Sequence, residues 1–177
     1  MDSSEIRKKN KEFLMPCVSN YYAEPIVVKS GKNQYVYDND GKEYLDFFCG
    51  ILTTMLGHSH PHVHSKVIEQ IGKLQHTSTL YQTIPQVQLA EKLSQITPGK
   101  LKQSFFTNSG TEADETAVLA AKKFTGCDEI IALRHAYSGR SVLAQNLTAH
   151  SKWRQVGSTV AGIKHLHNPY CYRCPFH

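Results

Sequence analysis

Asn108-Ser109-Gly110-Thr111 brings two hydroxyls and a glycine to the start of a helical pattern. Backbone N–H groups in the first turn of a helix have no partner inside the helix, and the aligned peptide dipoles make that end positive. A glycine there lets an anion approach the backbone with no Cβ in the way. The chemistry this suits is the seating of a phosphate, with Ser109, Gly110 and Thr111 as the cradle. The same residues also suit an ordinary capped strand-to-helix junction, in which the hydroxyls only close the helix end.

A cradle of this kind needs a strand to end and a helix to begin at one point. Leu101 to Thr107 has the length and aromatic content of a buried strand, and Ala113, Ala117, Ala120, Ala121 and Phe124 fall on one helical face. Thr111 with Asp114 predicts a capping box, and Gly126 a C-terminal stop. Glu129 to Leu133 reads as a second short strand, which gives a β-α-β unit with parallel pairing and a right-handed crossover. The predicted fold class is therefore α/β. Arg134 to Ser141 then follows the C-terminal end of that strand, where open α/β sheets bind ligands. Tyr137 is placed to stack on a flat cofactor ring, or else on the core. Arg140 offers a planar fork of donors for a carboxylate, or else a surface ion pair.

Asn108 to Glu115 resembles the phosphate cup of the class III aminotransferases, pyridoxal-phosphate (PLP) enzymes of fold type I. Three further stretches are similar to motifs of that family and occur in the same order: Asp40-Gly41-Lys42-Glu43-Tyr44-Leu45-Asp46-Phe47, Gly57-His58-Ser59-His60-Pro61 and His135 to Ser141. Together they cover roughly residues 20 to 145. The resemblance implies PLP as cofactor, Ser109, Gly110 and Thr111 on its phosphate, Tyr137 on its ring and Arg140 on a substrate carboxylate. Phe48 to Met55 corresponds to residues that face the active site, so Ile51, with Leu52 and Thr53, is a candidate pocket wall, plain core packing being the alternative. The family also needs a lysine that holds the cofactor and an aspartate on its ring nitrogen. Neither has a match here, so no catalytic residue is assigned within the chain.

At 177 residues the chain is less than half the length the resemblance implies, so it is expected to be the N-terminal portion of a transaminase. The expected division is a hairpin-bearing segment over 1–55 and a partial PLP-binding large domain over 56–177, with a mostly parallel and incomplete sheet. The implied reaction moves an amino group between an amino acid and a 2-oxo acid, in a homodimer when the protein is full length. Among members, the resemblance points toward the alanine–glyoxylate type. A truncated, non-catalytic form that binds PLP or phosphate, or that dimerises, is the alternative.

The remaining sequence predicts supporting elements. Glu5 to Leu14 reads as an exposed helix, and Tyr21 to Lys29 as extended chain that enters a turn at Gly31. Tyr35 to Phe47 reads as a hairpin about an Asp-Gly turn. Helices are expected over 61–74 and 86–95, a short one over 141–147, and a strand over 163–167. His58, His60, His62 and His64 alternate as strand-borne metal ligands would. Pro61 argues against a strand there and starts a helix instead, so no metal site is assigned. Cys171 and Cys174 have the spacing of half a zinc site or of a redox pair, and a metal-binding module built on the His and Cys clusters is the third reading; a loop is preferred.

Composition closes off other classes. A formal charge of +5 with no dense basic run gives no nucleic-acid surface. No apolar run approaches the ~20 residues of a membrane span, so no membrane is expected. Five dispersed cysteines suit a reducing compartment rather than a disulfide framework. The cytoplasm is the expected location, with the mitochondrion as the alternative where a targeting segment precedes the chain.

Overall fold

The computed structural model describes residues 1–18 and 20–176. The chain forms two compact units, Met1–Gln82 and Thr83–His177. It is a mixed α/β structure in which each unit carries its own small sheet.

The first unit begins with α1 (Ser3–Phe13), capped by the Asp2 carboxylate, which accepts from the Glu5 N–H. A three-stranded antiparallel sheet follows in the order β1 (Val28–Lys32), β2 (Tyr35–Asp38), β3 (Glu43–Leu45). The predicted Asp-Gly turn joins β2 to β3. Asp38 accepts the N–H groups of Asp40 and Lys42, and Gly41 takes φ +87°. Gly31 does not make the first turn. It lies within β1 opposite Val36, and Asn33 at φ +52° turns the chain instead, since a short polar side chain tolerates the left-handed region.

After β3 the backbone departs from what its residues favour. Cys49, Gly50, Ile51 and Leu52 all have positive φ, between 50° and 65°, so α2 (Cys49–Leu52) is one turn wound left-handed. Each non-glycine residue held so costs roughly 1–2 kcal/mol, and a β-branched residue such as Ile51 is the least suited of all. The unit ends with α3 (Pro61–Ile71), whose first residue is the proline expected there.

The second unit opens with α4 (Ile84–Ile96) and then α5 (Gly110–Thr125), the longest helix. Alanines fill α5, Glu112 lies in its first turn, Lys122 and Lys123 in its last, and Gly126 ends it at φ +68°, so composition, charge and cap agree. Next come β4 (Ile130–Leu133), α6 (Val142–Leu147), β5 (Ile163–Leu166) and a 3-10 turn at Cys171–Arg173.

Two expectations about this sheet need correction. β4 pairs in parallel with β5, not with 101–107. Residues 101–107 carry no ladder, because a strand exists only beside a partner and no described segment lies along them. The crossover between parallel strands therefore runs through α6.

The interior of the second unit is small and mostly polar. Ala144 and Leu147 are its buried apolar residues, while Gln145, Asn146 and Thr148 beside them are 6%, 1% and 0% exposed. Large apolar side chains elsewhere, such as Phe105, Leu119 and Phe124, are exposed.

Candidate functional site

Ser109 and Glu112 close the start of α5 together. Ser109 Oγ accepts from the Glu112 N–H at 3.2 Å, and Glu112 Oε2 accepts from the Asn108 N–H at 2.7 Å and from Asn108 Nδ2 at 3.0 Å. The capping pair is thus Ser109 with Glu112 rather than Thr111 with Asp114. The helix starts at Gly110, so its cap must stand at the residue before.

That shift frees the cradle. Among the described residues the N–H groups of Ser109, Gly110 and Thr111 bond to no other atom, and a Cβ placed on Gly110 would meet nothing within 4 Å. Three adjacent amides at the positive end of a sixteen-residue helix therefore stand beside open space. Both hydroxyls accept a bond from the protein and keep their own protons to donate.

Thr111 connects the cradle to the segment after β4. Its Oγ1 accepts from the Arg140 N–H at 3.4 Å, and Gly139 lies so close that any Cβ there would enter the space of the Thr111 side chain. Each end of that segment is also held. The His135 N–H donates to Asn168 Oδ1 at 2.9 Å, and Ser141 Oγ donates to Glu115 of α5. Its middle is pinned by α6 and the residue that caps it: the Ser138 N–H donates to Thr148 Oγ1 at 3.0 Å, and Gln145 Nε2 donates to the Gly139 carbonyl at 2.9 Å.

Tyr137 stands on this fixed segment with half of its surface exposed. Trp153 meets it edge-on, the ring centroids 5.7 Å apart at 80°, and His150 stacks on Trp153 at 4.4 Å. Among the described residues the Arg140 guanidinium bonds to none, so the surface ion pair considered for it is not formed and its fork of donors is open.

Ser109, Gly110, Thr111 and the segment bearing Tyr137 and Arg140 therefore belong to one bonded assembly in the second unit. Ile51 belongs to the first, in the left-handed turn, with 71% of its surface exposed. Sequence reasoning did not single out Gln145, Asn146, Thr148 or Trp153. Gln145, Asn146 and Thr148 are polar residues in or just after a short helix and read as surface, and only their burial shows that they organise the segment. Among the described residues no three His, Cys, Asp or Glu side chains gather to hold a metal, and the five cysteines form no disulfide. Among the described residues no helix is long and apolar enough to cross a membrane.

In the first unit the Asp46 carboxylate meets His58 Nε2 at 2.7 Å and accepts the N–H groups of Phe48 and Cys49. These bonds, the one from His58 foremost, hold its carboxyl below the ordinary carboxylate value.

Comparison with known proteins shows the family. Residues 18–176 match the model of the aminotransferase class-III family. The chain is 42% identical over 171 residues to alanine–glyoxylate aminotransferase 2 homolog 2, mitochondrial, of Arabidopsis thaliana, covering 97% of this chain and 36% of that protein. It is 38% identical to the acetylornithine aminotransferase of Methanothermobacter thermautotrophicus, covering 96% of this chain and 42% of that one. Among solved structures it superposes with a TM-score of 0.86 and 25% identity on taurine:2-oxoglutarate aminotransferase from Bifidobacterium kashiwanohense, solved with PLP and glutamate, covering 97% of this chain and 39% of that one. An (S)-enantioselective omega-transaminase from Thermomicrobium roseum gives 0.85 at 29% identity, covering 98% of this chain and 42% of that one. The chain thus spans about 36–42% of the length of these relatives. It belongs to the class III aminotransferase family.

Proposed function

We propose that the chain contributes the phosphate cradle and ring-stacking segment of a PLP-dependent transaminase that moves an amino group between an amino acid and a 2-oxo acid. The observation that carries this reading is the row of unbonded amides at Ser109, Gly110 and Thr111, open at Gly110 and tied through Thr111 to the segment bearing Tyr137 and Arg140. These residues fit PLP. The amides and hydroxyls suit the phosphate dianion, and Tyr137 supplies a half-exposed ring backed by Trp153.

PLP, when bound, supplies the electron sink that lets the α-proton of an amino acid leave. This chain's residues seat and orient. The helix end holds the phosphate, Tyr137 sets the plane of the ring, and Arg140 takes the substrate carboxylate with a two-pronged contact. Ile51 is assigned to the substrate by the resemblance alone. The lysine and the aspartate that the chemistry also requires are assigned to no residue of this chain.

We read residues 1–55 as a hairpin-bearing N-terminal segment and 56–177 as a partial PLP-binding large domain, functioning in a homodimer. The alanine–glyoxylate type is favoured over other amino donors by the Arabidopsis relative, whose name also makes the mitochondrion a candidate location beside the cytoplasm.

The experiment uses the single tryptophan, Trp153, which touches Tyr137. Titration with PLP should quench its fluorescence saturably, and inorganic phosphate should compete. Gly110→Val should abolish the quenching without lowering the melting temperature, since its side chain has room in the fold. Saturable quenching that survives Gly110→Val sinks the cradle. Quenching without turnover is the result expected of this chain, to which no lysine is assigned; turnover of alanine and glyoxylate by it alone would overturn that assignment.

A further inference from the structure

Cys171 and Cys174 are thiols for which the cofactor reading has no use. Both are free, Cys171 exposed and Cys174 half-buried. They stand at the two ends of one turn: Cys171–Arg173 is the 3-10 turn, and the Cys174 N–H donates to the Cys171 carbonyl at 3.4 Å. In a 3-10 winding, side chains three residues apart lie over one another on one face. A turn closed in this way also keeps the Cα atoms of its end residues within about 7 Å, and a disulfide spans about 4.4–6.8 Å between Cα atoms. A bond between the two sulfurs therefore fits this backbone.

The turn is fastened at its base. His167 and Phe176, on either side of it, meet edge-on with ring centroids 5.1 Å apart at 90°. Asn168 follows His167, and its side-chain oxygen accepts the His135 N–H at 2.9 Å. His135 opens the segment that bears Tyr137 and Arg140. Only Pro169 and Tyr170 separate Asn168 from Cys171, and the fixed φ of a proline leaves little slack between them. A change in the turn is thus passed on to Asn168.

We propose that Cys171 and Cys174 are a thiol–disulfide modification site whose oxidised form tightens the hold of Asn168 on His135. The oxidant is a low-molecular-weight disulfide such as oxidised glutathione. The exposed Cys171 sulfur attacks it, forming a mixed disulfide and releasing one glutathione thiol. Cys174 then attacks the Cys171 sulfur, which forms the Cys171–Cys174 bond and releases the second glutathione. Two protein thiols are oxidised, and their two protons leave on the two glutathione thiols produced. That the held segment serves a cofactor rests on the transaminase reading; the bond and the hold do not.

The test treats the full chain with oxidised glutathione and follows its thiols, its tryptic peptides and its hydrogen exchange. Two of the five thiols should be lost. Trypsin cuts after Arg173, between the two cysteines, so the peptide ending there and the one beginning at Cys174 should stay joined until reduced. The His135 amide should exchange about five-fold more slowly in the oxidised chain than in the reduced one. Cys174→Ser, treated alike, should keep glutathione on Cys171 and leave the exchange unchanged. Five thiols that persist, thiols lost only elsewhere, or joined peptides that come from two chains overturn the site. Unchanged His135 exchange in the oxidised chain overturns the hold. A chain that binds no PLP in either state removes the transaminase reading, while the thiol count and the exchange rates still judge the pair.

Discussion

Gly139 lies directly against the side chain of Thr111, and Arg140, the next residue, donates its N–H to the Thr111 hydroxyl. Gly139 also has φ +131°, a region that residues with a Cβ avoid. Gly139→Ala therefore meets both a collision and backbone strain. Stability should fall by roughly 1–3 kcal/mol. PLP affinity should fall as well, because the ring-bearing segment is pushed off the cradle. Denaturant unfolding and Trp153 quenching read the two effects separately, and parental values in both would show that the contact is dispensable.

Thr148 is fully buried and its hydroxyl accepts the Ser138 N–H while donating to the Ala144 carbonyl. Thr148→Val keeps the shape and removes the bonds, leaving a peptide N–H without a partner. The expected loss is about 1–3 kcal/mol of stability. Thr148→Ser should recover most of it, since the lost methyl matters less than the bond. A valine variant as stable as the parent would mean that water or a shifted backbone satisfies Ser138.

In a full-length relative with the matching arginine, the change equivalent to Arg140→Lys should raise the KM for the amino-acid substrate by about ten-fold or more while the PLP titration stays unchanged, since an ammonium cannot reproduce a planar two-pronged contact. Its backbone bond to Thr111 is retained in the variant, so folding is not at issue. Unchanged kinetics would take Arg140 out of the site.

The Asp46 carboxyl is held below its usual value by the bond from His58 and by backbone N–H donors. A depressed folded-state value means that the unfolded chain binds the proton more readily. The stabilisation is therefore present above the unfolded pKa of about 3.9 and is lost as the pH falls through the folded one. Melting temperatures followed downward from neutral pH should drop in the parent and drop less steeply in Asp46→Asn. Glu69 is held at about 2 by Lys73 and Lys66, yet its side chain is half exposed. Salt should therefore erase the contribution of Glu69 and spare that of Asp46. Equal salt sensitivity would show that Asp46 is no better shielded than a surface group.

Much of this arrangement could be read from residue types, and the exceptions have physical reasons. Asp38 to Gly41 announced its turn because aspartate and glycine suit that backbone, and the C-terminal end of α5 followed from Gly126. The α/β class, the family and the order of the motifs were legible in the same local way. The left-handed turn was not, since nothing in Ile51 favours positive φ. Residues 101–107 have strand composition, but a ladder depends on a neighbour that local pattern cannot supply. The cap at Ser109 was placed two residues late, because hydroxyls at 109 and 111 satisfy the same rule and only the helix start separates them.

The polar interior around α6 has a consequence for tolerance to change. Apolar contact is cohesive without direction, so an oily core accepts small slips and swaps of similar volume. Hydrogen bonds such as those of Asn146 to the Thr159 N–H and of Gln145 to the Gln155 N–H act like locating pins, which fail once displaced or misaligned. Variation in the second unit should accordingly be governed by the direction of bonds more than by depth. A scan of substitutions would find isosteric apolar replacements at Gln145, Asn146 and Thr148 rejected, while Leu119 and Phe124, larger and oilier, accept polar ones in the chain by itself.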